Sequence, residues 1–582
     1  MPHLPYASFE MYFYEYEELR YSDSIRILIL HPSSDGSDPI MCTMQYTRLS
    51  DVSLNYEALS YTWGDMDHRQ AIYFCGGSKT LLVGQTCLDA LRHLRQKSTY
   101  RLLWIDAICI NQEDLLERGS QVRIMDDIYS HAYGVVVFLG GHTAGSPVLF
   151  EELAAAERLL ELGDEIDRPS PSSTVVKELE NLYTRPWFRR VWVLQEVCGR
   201  DFVVFMCGSD SVSFGALASL HFDYSRATKL TKMVWPIALE WIHRPPEELS
   251  TPQFNLWHRL NKTRDYLATD PRDRIFALKS LSGPQHSELD FLIDYTQSLE
   301  DGCIKTAKFL LPVLGLRMLT AVRHPHQKGM PSWIPDWSEH LPLHPFHSYQ
   351  GPSGHPAAKE HEMDCKTVND DFYEIREISG EGEKYHLELL TTGYRHSRIV
   401  DMSQQFVFNS MDEAESTMRR LYCSFENLKN IFVVDEKHAD CTVIKQLGKL
   451  IAETMSLMNG SELHSDLTRR IDGFYAEPHE PLRGEQIRNF FRSLQYCRIS
   501  MLSTGELAIA PGAIQLDDVV CVLANTNSAC ALRPDGKGKW TLVSGEIYIF
   551  ANISRLAMFH GSLVLDEYVT GNKATVEQFV IR

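Results

Sequence analysis

Residues 102–141 read LLWIDAICINQEDLLERGSQVRIMDDIYSHAYGVVVFLGG. Leu102–Ile105 is a short apolar run of the kind that fills a strand covered on both faces, and Asp106 falls near its carboxyl end. Residues 117–132 follow as a helix, with Val122, Met125, Ile128 and Tyr129 on one face. Val135–Leu139 is a second buried-type strand, closed by Gly140-Gly141. Strand, helix, strand implies a crossover connection and strands that run in parallel.

The same rhythm extends to both sides. Residues 25–30 (IRILIL) read as a strand stopped by His31-Pro32 and a Ser/Asp/Gly stretch. Ala58–Tyr61 is another, followed by a turn at Trp63-Gly64-Asp65, and Ile72–Cys75 is an edge strand before Gly76-Gly77. Leu88, Leu91 and Leu94 recur at helical spacing and place a helix at 85–96. Helices follow at 148–163, 175–183 and 188–197, and Val203–Cys207 returns as a strand. The expected domain spans 20–210: α/β, with a mostly parallel sheet and helices on both faces.

Residues 211–340 read as helical packing on that domain, with Asp270-Pro271-Arg272-Asp273 opening a helix after a loop. Residues 341–364 are rich in His, Pro and Gly and read as a linker or surface loop. Residues 365–582 read as a mixed α+β, β-rich domain. Tyr373–Ile399 alternates around the Gly380–Gly382 turn, helices are expected near 411–422 and 442–457, and short strands near Val519–Leu523, Ala531–Arg533, Trp540–Val543 and Glu546–Phe550.

Composition narrows the function classes. Of 582 residues, 44% are hydrophobic and 23% charged, which excludes wholesale disorder. Lys and Arg number 57 and Asp and Glu 77, so the net charge is −20. With no long basic run, nucleic acid is not an expected partner. The 13 cysteines are odd in number and form no CxxC, and Cys75, Cys109, Cys198 and Cys521 lie in apolar contexts. Buried reduced thiols in a reducing compartment are expected, hence a cytoplasmic protein. The acidic, aromatic N-terminus lacks the pattern of a secretory or transit peptide, and no run of 18 apolar residues offers a membrane span. His361 to Cys365 (HEMDC) lacks a second ligand pair, so no metal is expected. No dinucleotide, P-loop, zincin, hydrolase or kinase signature is present.

Three blocks carry a resemblance. The first is Tyr56–Gly64 (YEALSYTWG). The second is Leu103–Gln112 (LWIDAICINQ), continuing through Glu117-Arg118, Gln121, Met125 and Ile128-Tyr129 to Ala132. The third is Trp187–Val197 (WFRRVWVLQEV). Together they strongly resemble the heterokaryon-incompatibility (HET) domain of filamentous fungi. Weaker echoes follow at Thr269–Leu278 (TDPRDRIFAL), Pro331–Ser338 (PSWIPDWS) and Gly545–Tyr548 (GEIY). The resemblance implies an effector of self/non-self recognition that promotes cell death. It also implies a distant likeness to the TIR domain, a flavodoxin-like unit, some members of which cleave NAD⁺ with a Glu four residues after a Trp.

Trp192 and Glu196 have that spacing, one helical turn apart. On this reading Glu196 is the catalytic carboxylate, stabilising an oxocarbenium-like centre as nicotinamide leaves. The alternative makes Trp192 a core residue and pairs Glu196 with Arg189 or Arg190. Asp106, Asn111 and Gln112 sit at the strand edge where open α/β sheets bind ligands. Their alternative is capping of the loop before the next helix. Ser60, Tyr61, Trp63 and Gly64 end another strand at the same expected edge, where Trp63 stacks on a planar ligand or packs in the core and Gly64 permits close backbone approach. Arg118 meets a phosphate or pairs with Glu117, Asp114 or Asp106, and Arg272 joins a local cluster with Asp270 and Asp273. No tightly bound cofactor is expected; NAD⁺ enters as a substrate. The partners expected are further copies of the chain or another protein. Two other classes stay open: a non-enzymatic assembly module, and a regulator or enzyme recruited to specialised metabolism.

Overall fold

A computed structural model describes residues 12–51, 55–65, 67–162, 172–228, 236–243, 251–283, 286–322, 330–338, 373–380, 383–402, 405, 496–504, 507–524, 526, 529–550 and 576–582. The chain forms two units: Met1–Glu248 with Tyr266–Ser298, and Leu249–Asp265 with Leu299–Arg582.

The strands of the first unit are β1 (Tyr12–Phe13), β2 (Ser24–Leu30), β3 (Cys42–Arg48), β4 (Glu57–Tyr61), β5 (Gln70–Phe74), β6 (Lys79–Val83), β7 (Arg101–Trp104), β8 (Gly134–Phe138), β9 (Val203–Cys207) and β10 (Asp210–Ser213). Seven of them make one sheet in the order β10-β9-β8-β4-β7-β2-β3, while β1, β6 and β5 form a small sheet of their own. Its helices up to residue 243 are α1 (Gln85–Leu94), α2 (Asp106–Cys109), α3 (Leu115–Arg123), α4 (Met125–His131), α5 (Ser146–Leu162), α6 (Ser173–Tyr183), α7 (Trp192–Val197), α8 (Phe214–Thr228) and α9 (Ile237–His243). Ala58–Tyr61 and Val135–Phe138 are buried along their whole length, as strands in mid-sheet must be.

The sheet is mixed rather than mostly parallel. The β9–β8, β8–β4 and β4–β7 pairs are parallel, and the β10–β9, β7–β2 and β2–β3 pairs antiparallel. The reason lies in the connections. Only a loop joins β2 to β3, with no helix to carry the chain back for a parallel return. β9 turns directly into β10 through Gly208, whose φ of 56° suits a tight turn. The helix expected over 117–132 is also two helices, broken at Ile124 (φ −103°, ψ 7°). Asp114 starts the first of them, accepting from the backbone N–H groups of Leu116 and Glu117.

One charge lies inside the apolar run of β2. Arg26 is fully buried. Its guanidinium donates to both Glu117 oxygens (2.6 and 2.9 Å), to Cys109 O (3.0 Å) and to Glu17 O (2.6 Å). The rings of Tyr16 and Tyr46 lie 4.8 and 5.2 Å from its central carbon. A buried cation needs this degree of pairing, because one missing partner leaves an uncompensated charge. Cysteine burial holds at Cys109 and Cys521, whereas Cys75, expected inside, is exposed. It sits in left-handed backbone (φ 51°) at the turn after β5.

In the second unit α10 (Pro252–Lys262) precedes the first unit's α11 (Asp273–Phe276) in the chain, and α12 (Leu299–Leu314) resumes the second unit. Its strands are β11 (Tyr373–Gly380), β12 (Glu383–Met402), β13 (Cys497–Leu502), β14 (Leu507–Pro511), β15 (Val519–Leu523), β16 (Ala529–Pro534), β17 (Trp540–Phe550) and β18 (Glu577–Ile581). The pairings β12–β13–β14–β17–β16–β15 return to β12, so this antiparallel circuit closes on itself, as in a small barrel. Ala508, Ala510, Ala529 and Ala531 keep its buried cluster small.

Two of the weaker sequence echoes, 331–338 and 545–548, pack within this unit, whereas 269–278 belongs to the first. Trp333 and Trp337 are buried, and Ser332 Oγ accepts from Leu542 N–H (2.9 Å). A Cβ on Gly545 would stand 1.6 Å from Leu319 O, so only glycine lets those two backbones meet. The loop at 341–364, the cluster at 361–365 and the helices expected near 411–422 and 442–457 lie outside the described residues.

Candidate functional site

The parallel strands of the first unit lie in the order β7-β4-β8-β9. The chain leaves β4 for one neighbour, β7, then crosses to the other neighbour, β8. That reversal is a topological switch, and in open α/β sheets the crevice at the carboxyl ends of such strands binds ligands. Ser60 and Tyr61 end β4, and Asp106 follows β7.

Ser60 is the hub. Its Oγ accepts from Trp187 Nε1–H (2.8 Å) and donates to Glu196 Oε2. Ser60, Trp187 and Glu196 are each no more than 2% exposed. Burial pushes the Glu196 carboxyl up to about 7, against the opposing charge of Arg190 and with a further push from Asp106. Arg190 donates to Tyr61 O. The Tyr61 phenol is buried and also raised, beside Cys87. Arg189, the other arginine expected near Glu196, is exposed.

Asp106 is the more open of the two carboxylates. Its Oδ2 accepts from Trp63 Nε1–H (2.9 Å) and its Oδ1 from Ala107 N–H (2.7 Å). Burial raises this carboxyl as well, and Arg190 opposes it. Gln112 Nε2 donates to Asp106 O (2.9 Å). Asn111 is turned into its own loop, where its Oδ1 accepts from Glu113 N–H (3.3 Å) and its N–H donates to Glu117 Oε1 (2.6 Å). Gly64 is exposed with φ 70°, and a Cβ there would stand 2.5 Å from Thr86 Oγ1.

Trp192 and Glu196 do not converge on one partner. The Trp192 indole N–H donates to Asp273 Oδ2 (2.9 Å), while Glu196 goes to Ser60. Tyr295 OH donates to the other Asp273 oxygen (2.6 Å). Arg118 stacks on the Tyr295 ring (3.8 Å) and lies 3.8 and 3.7 Å from Asp270 and Asp273. Of its expected partners, Glu117 is taken by Arg26 and Asp114 by the α3 cap. Arg272 is bidentate to Asp270 (2.9 and 2.7 Å). Burial pushes the Asp273 carboxyl up to about 6.

The structure thus gathers Ser60, Tyr61, Trp63, Asp106 and Glu196, with Arg190 and Trp187 among them. It sets Trp192 and Arg118 in a second cluster with Asp273 and Tyr295. Nothing in the sequence singles out Trp187 as a site residue, although it opens the third block, and nothing in the spacing of Tyr295 marks it. Residues 56–196 match the heterokaryon incompatibility protein (HET) family. This segment is a HET domain. Heterokaryon incompatibility protein 6, OR allele, of Neurospora crassa is 25% identical over 92% of this chain and 95% of its own length. No solved structure matches the chain.

The geometry also reaches beyond the HET match. Val191 N–H donates to Leu267 O (3.0 Å) and Leu267 N–H to Arg189 O (2.5 Å), so the segment entering α7 is paired to a stretch downstream of the domain. Among the described residues no group of three or more His, Cys, Asp or Glu is placed to hold a metal ion. No helix of the described residues is long and apolar enough to cross a membrane.

Proposed function

We propose that this chain is a fungal incompatibility effector of self/non-self recognition that promotes cell death, and that its HET domain acts by cleaving NAD⁺ between nicotinamide and ribose. The observation that carries the proposal is the carboxylate pair at the switch edge, Glu196 raised to about 7 with Asp106 acting on it. The order β7-β4-β8-β9 is the 2-1-3-4 order of flavodoxin-like sheets, which supports the TIR-like reading.

In this mechanism the C–N bond breaks and its electron pair neutralises the nicotinamide nitrogen. The oxocarbenium-like ribose left behind is stabilised by a carboxylate and captured by water, whose proton is released to that carboxylate or to solvent. Trp63 stacks on a planar ring of the ligand, and Asp106, which is less buried than Glu196, holds ribose hydroxyls. Ser60, Tyr61, Gly64 and Gln112 form the walls, Arg118 the phosphate end, and Glu196 is the catalytic carboxylate. Asn111 shapes the loop, and Trp192 acts behind Glu196 instead of stacking on the ligand. Glu196 is 2% exposed, so this role requires Ser60 and Trp187 to yield when the ligand binds.

That burial also favours a second reading. In it Ser60, Trp187 and Glu196 only tie β4 to α7, and the HET domain is an assembly module for further copies of the chain or another protein. Nicotinamide release from NAD⁺ by concentrated full-length protein separates the two. Release that disappears in folded Glu196→Ala protein supports the enzyme. No release from folded, assembled protein refutes it and leaves the module.

A further inference from the structure

We infer that residues 266–298 are an integral strap of the HET unit, and that Asp273 is a positioning residue that fixes α7 and, through it, Glu196. The link to Glu196 as a catalytic group rests on the functional reading above; the strap itself does not.

Several independent contacts converge on one short helix. α7 has six residues, too few to persist on propensity alone, so its placement depends on what holds it. At its entry, Leu267 exchanges backbone hydrogen bonds with Arg189 and Val191. One residue further, the Trp192 indole is bonded to Asp273. Asp273 is itself held by Tyr295 OH and faced by Arg118 of α3, so the strap joins α7 to a helix of the HET domain. Asp273 is 5% exposed, and a carboxylate so buried is tolerated only with its partners in place. Glu196 follows Trp192 on the same helix by one turn. A shift of Trp192 therefore carries Glu196 away from Ser60.

The strap lies outside the 56–196 match, and the chain enters and leaves it through segments of the second unit, Leu249–Asp265 and Leu299–Arg582. A HET domain cut at residue 197 or 210 thus lacks one of the supports of its own last helix. The TDPRDR stretch is explained by this role: Asp270 and Arg272 pair locally, and Asp273 reaches α7.

The test uses the full chain and hydrogen exchange of the peptide covering residues 191–198. Asp273→Ala is expected to raise exchange there at least about tenfold, the loss associated with a charge-assisted hydrogen bond, while β8 and the β12–β17 strands keep wild-type protection. Trp192→Phe, which keeps a ring and removes the N–H donor, is expected to raise exchange in the same peptide by a smaller factor. Asp273→Asn retains an acceptor for the indole and is expected to restore most of the protection. Unchanged exchange at 191–198 in either Trp192→Phe or folded Asp273→Ala overturns the proposal. Exchange that rises equally in all peptides overturns it too, because Asp273 would then be a general stability residue. These readouts do not involve NAD⁺. If the wild type releases no nicotinamide, the catalytic reading fails while the strap stands or falls on exchange alone.

Discussion

Replacing Glu196 with Gln should stabilise the first unit at high pH and change it little at low pH. The unfolded carboxyl titrates near its ordinary value of 4.5, whereas burial holds the folded one at about 7. Between those values the folded chain keeps a proton that the unfolded chain has lost, so stability falls as pH rises from about 4.5 and levels off above about 7. At about 1.4 kcal/mol per pH unit, the gap amounts to about 3 kcal/mol at pH 8 and to under about 1 kcal/mol at pH 5. Gln is neutral throughout and still offers an oxygen to the Ser60 hydroxyl. The expected outcome is a Glu196→Gln chain more stable than wild type by about 2–3 kcal/mol at pH 8, with near parity at pH 5. Urea titrations read by hydrogen exchange on β4 and α7 peptides follow this unit without interference from the second. A wild-type-to-Gln difference that is the same at pH 5 and pH 8 would refute the reasoning, since it would mean that Glu196 carries its charge at both.

Further outcomes follow from single contacts. Arg26→Met should cost the first unit about 3–5 kcal/mol by stranding Glu117, and adding Glu117→Leu should recover much of it; the midpoint of urea unfolding of β2 and α3 peptides checks both. Gly545→Ala forces a methyl group into Leu319 O and should cost the second unit about 3 kcal/mol or leave it insoluble, read as soluble yield and melting temperature. Gly64→Ala should cost about 1–2 kcal/mol from its positive φ, with the Thr86 hydroxyl displaced as well, read as a lower melting temperature of the first unit.

Much of the first unit could be read from residue order because its parallel strands are short apolar runs spaced by helices. Strands expected at 58–61, 102–105, 135–139 and 203–207 coincide with β4, β7, β8 and β9 to within a residue or two at each end. The antiparallel additions were harder. β3 (CTMQYTR) mixes polar and apolar residues at intermediate exposure, so no period stands out. Arg26 was hidden by the apolar residues around it, and its partner Glu117 lies 91 positions away. At the site, the blocks holding Ser60, Asp106 and Glu196 pointed to one sheet edge, but hydrogen-bond partners are a tertiary property. The i, i+4 spacing of Trp192 and Glu196 suggested a shared ligand face. A six-residue helix packed between β4 on one hand and the 266–298 strap on the other gives each of them its own partner instead.

This arrangement bears on how any loss of function at Glu196 should be interpreted. Glu196 bonds to Ser60, Ser60 to Trp187, and Trp187 packs edge-on against Phe188 and Phe205, so an alanine at position 196 removes a support of the fold as well as a carboxylate. Loss of activity in Glu196→Ala alone therefore fits both a catalytic and a structural carboxyl. Glu196→Gln divides them, because it keeps the acceptor for Ser60 and relieves the buried charge. A structural carboxyl makes the Gln chain at least as stable and as active as wild type at pH 8. A catalytic one makes it stable and inactive. Ser60→Ala supplies the converse: it leaves the carboxylate and removes its anchor. If Glu196 acts on a ligand that must displace Ser60, that variant should retain turnover and bind more readily, whereas a purely structural triad should lose stability with nothing gained.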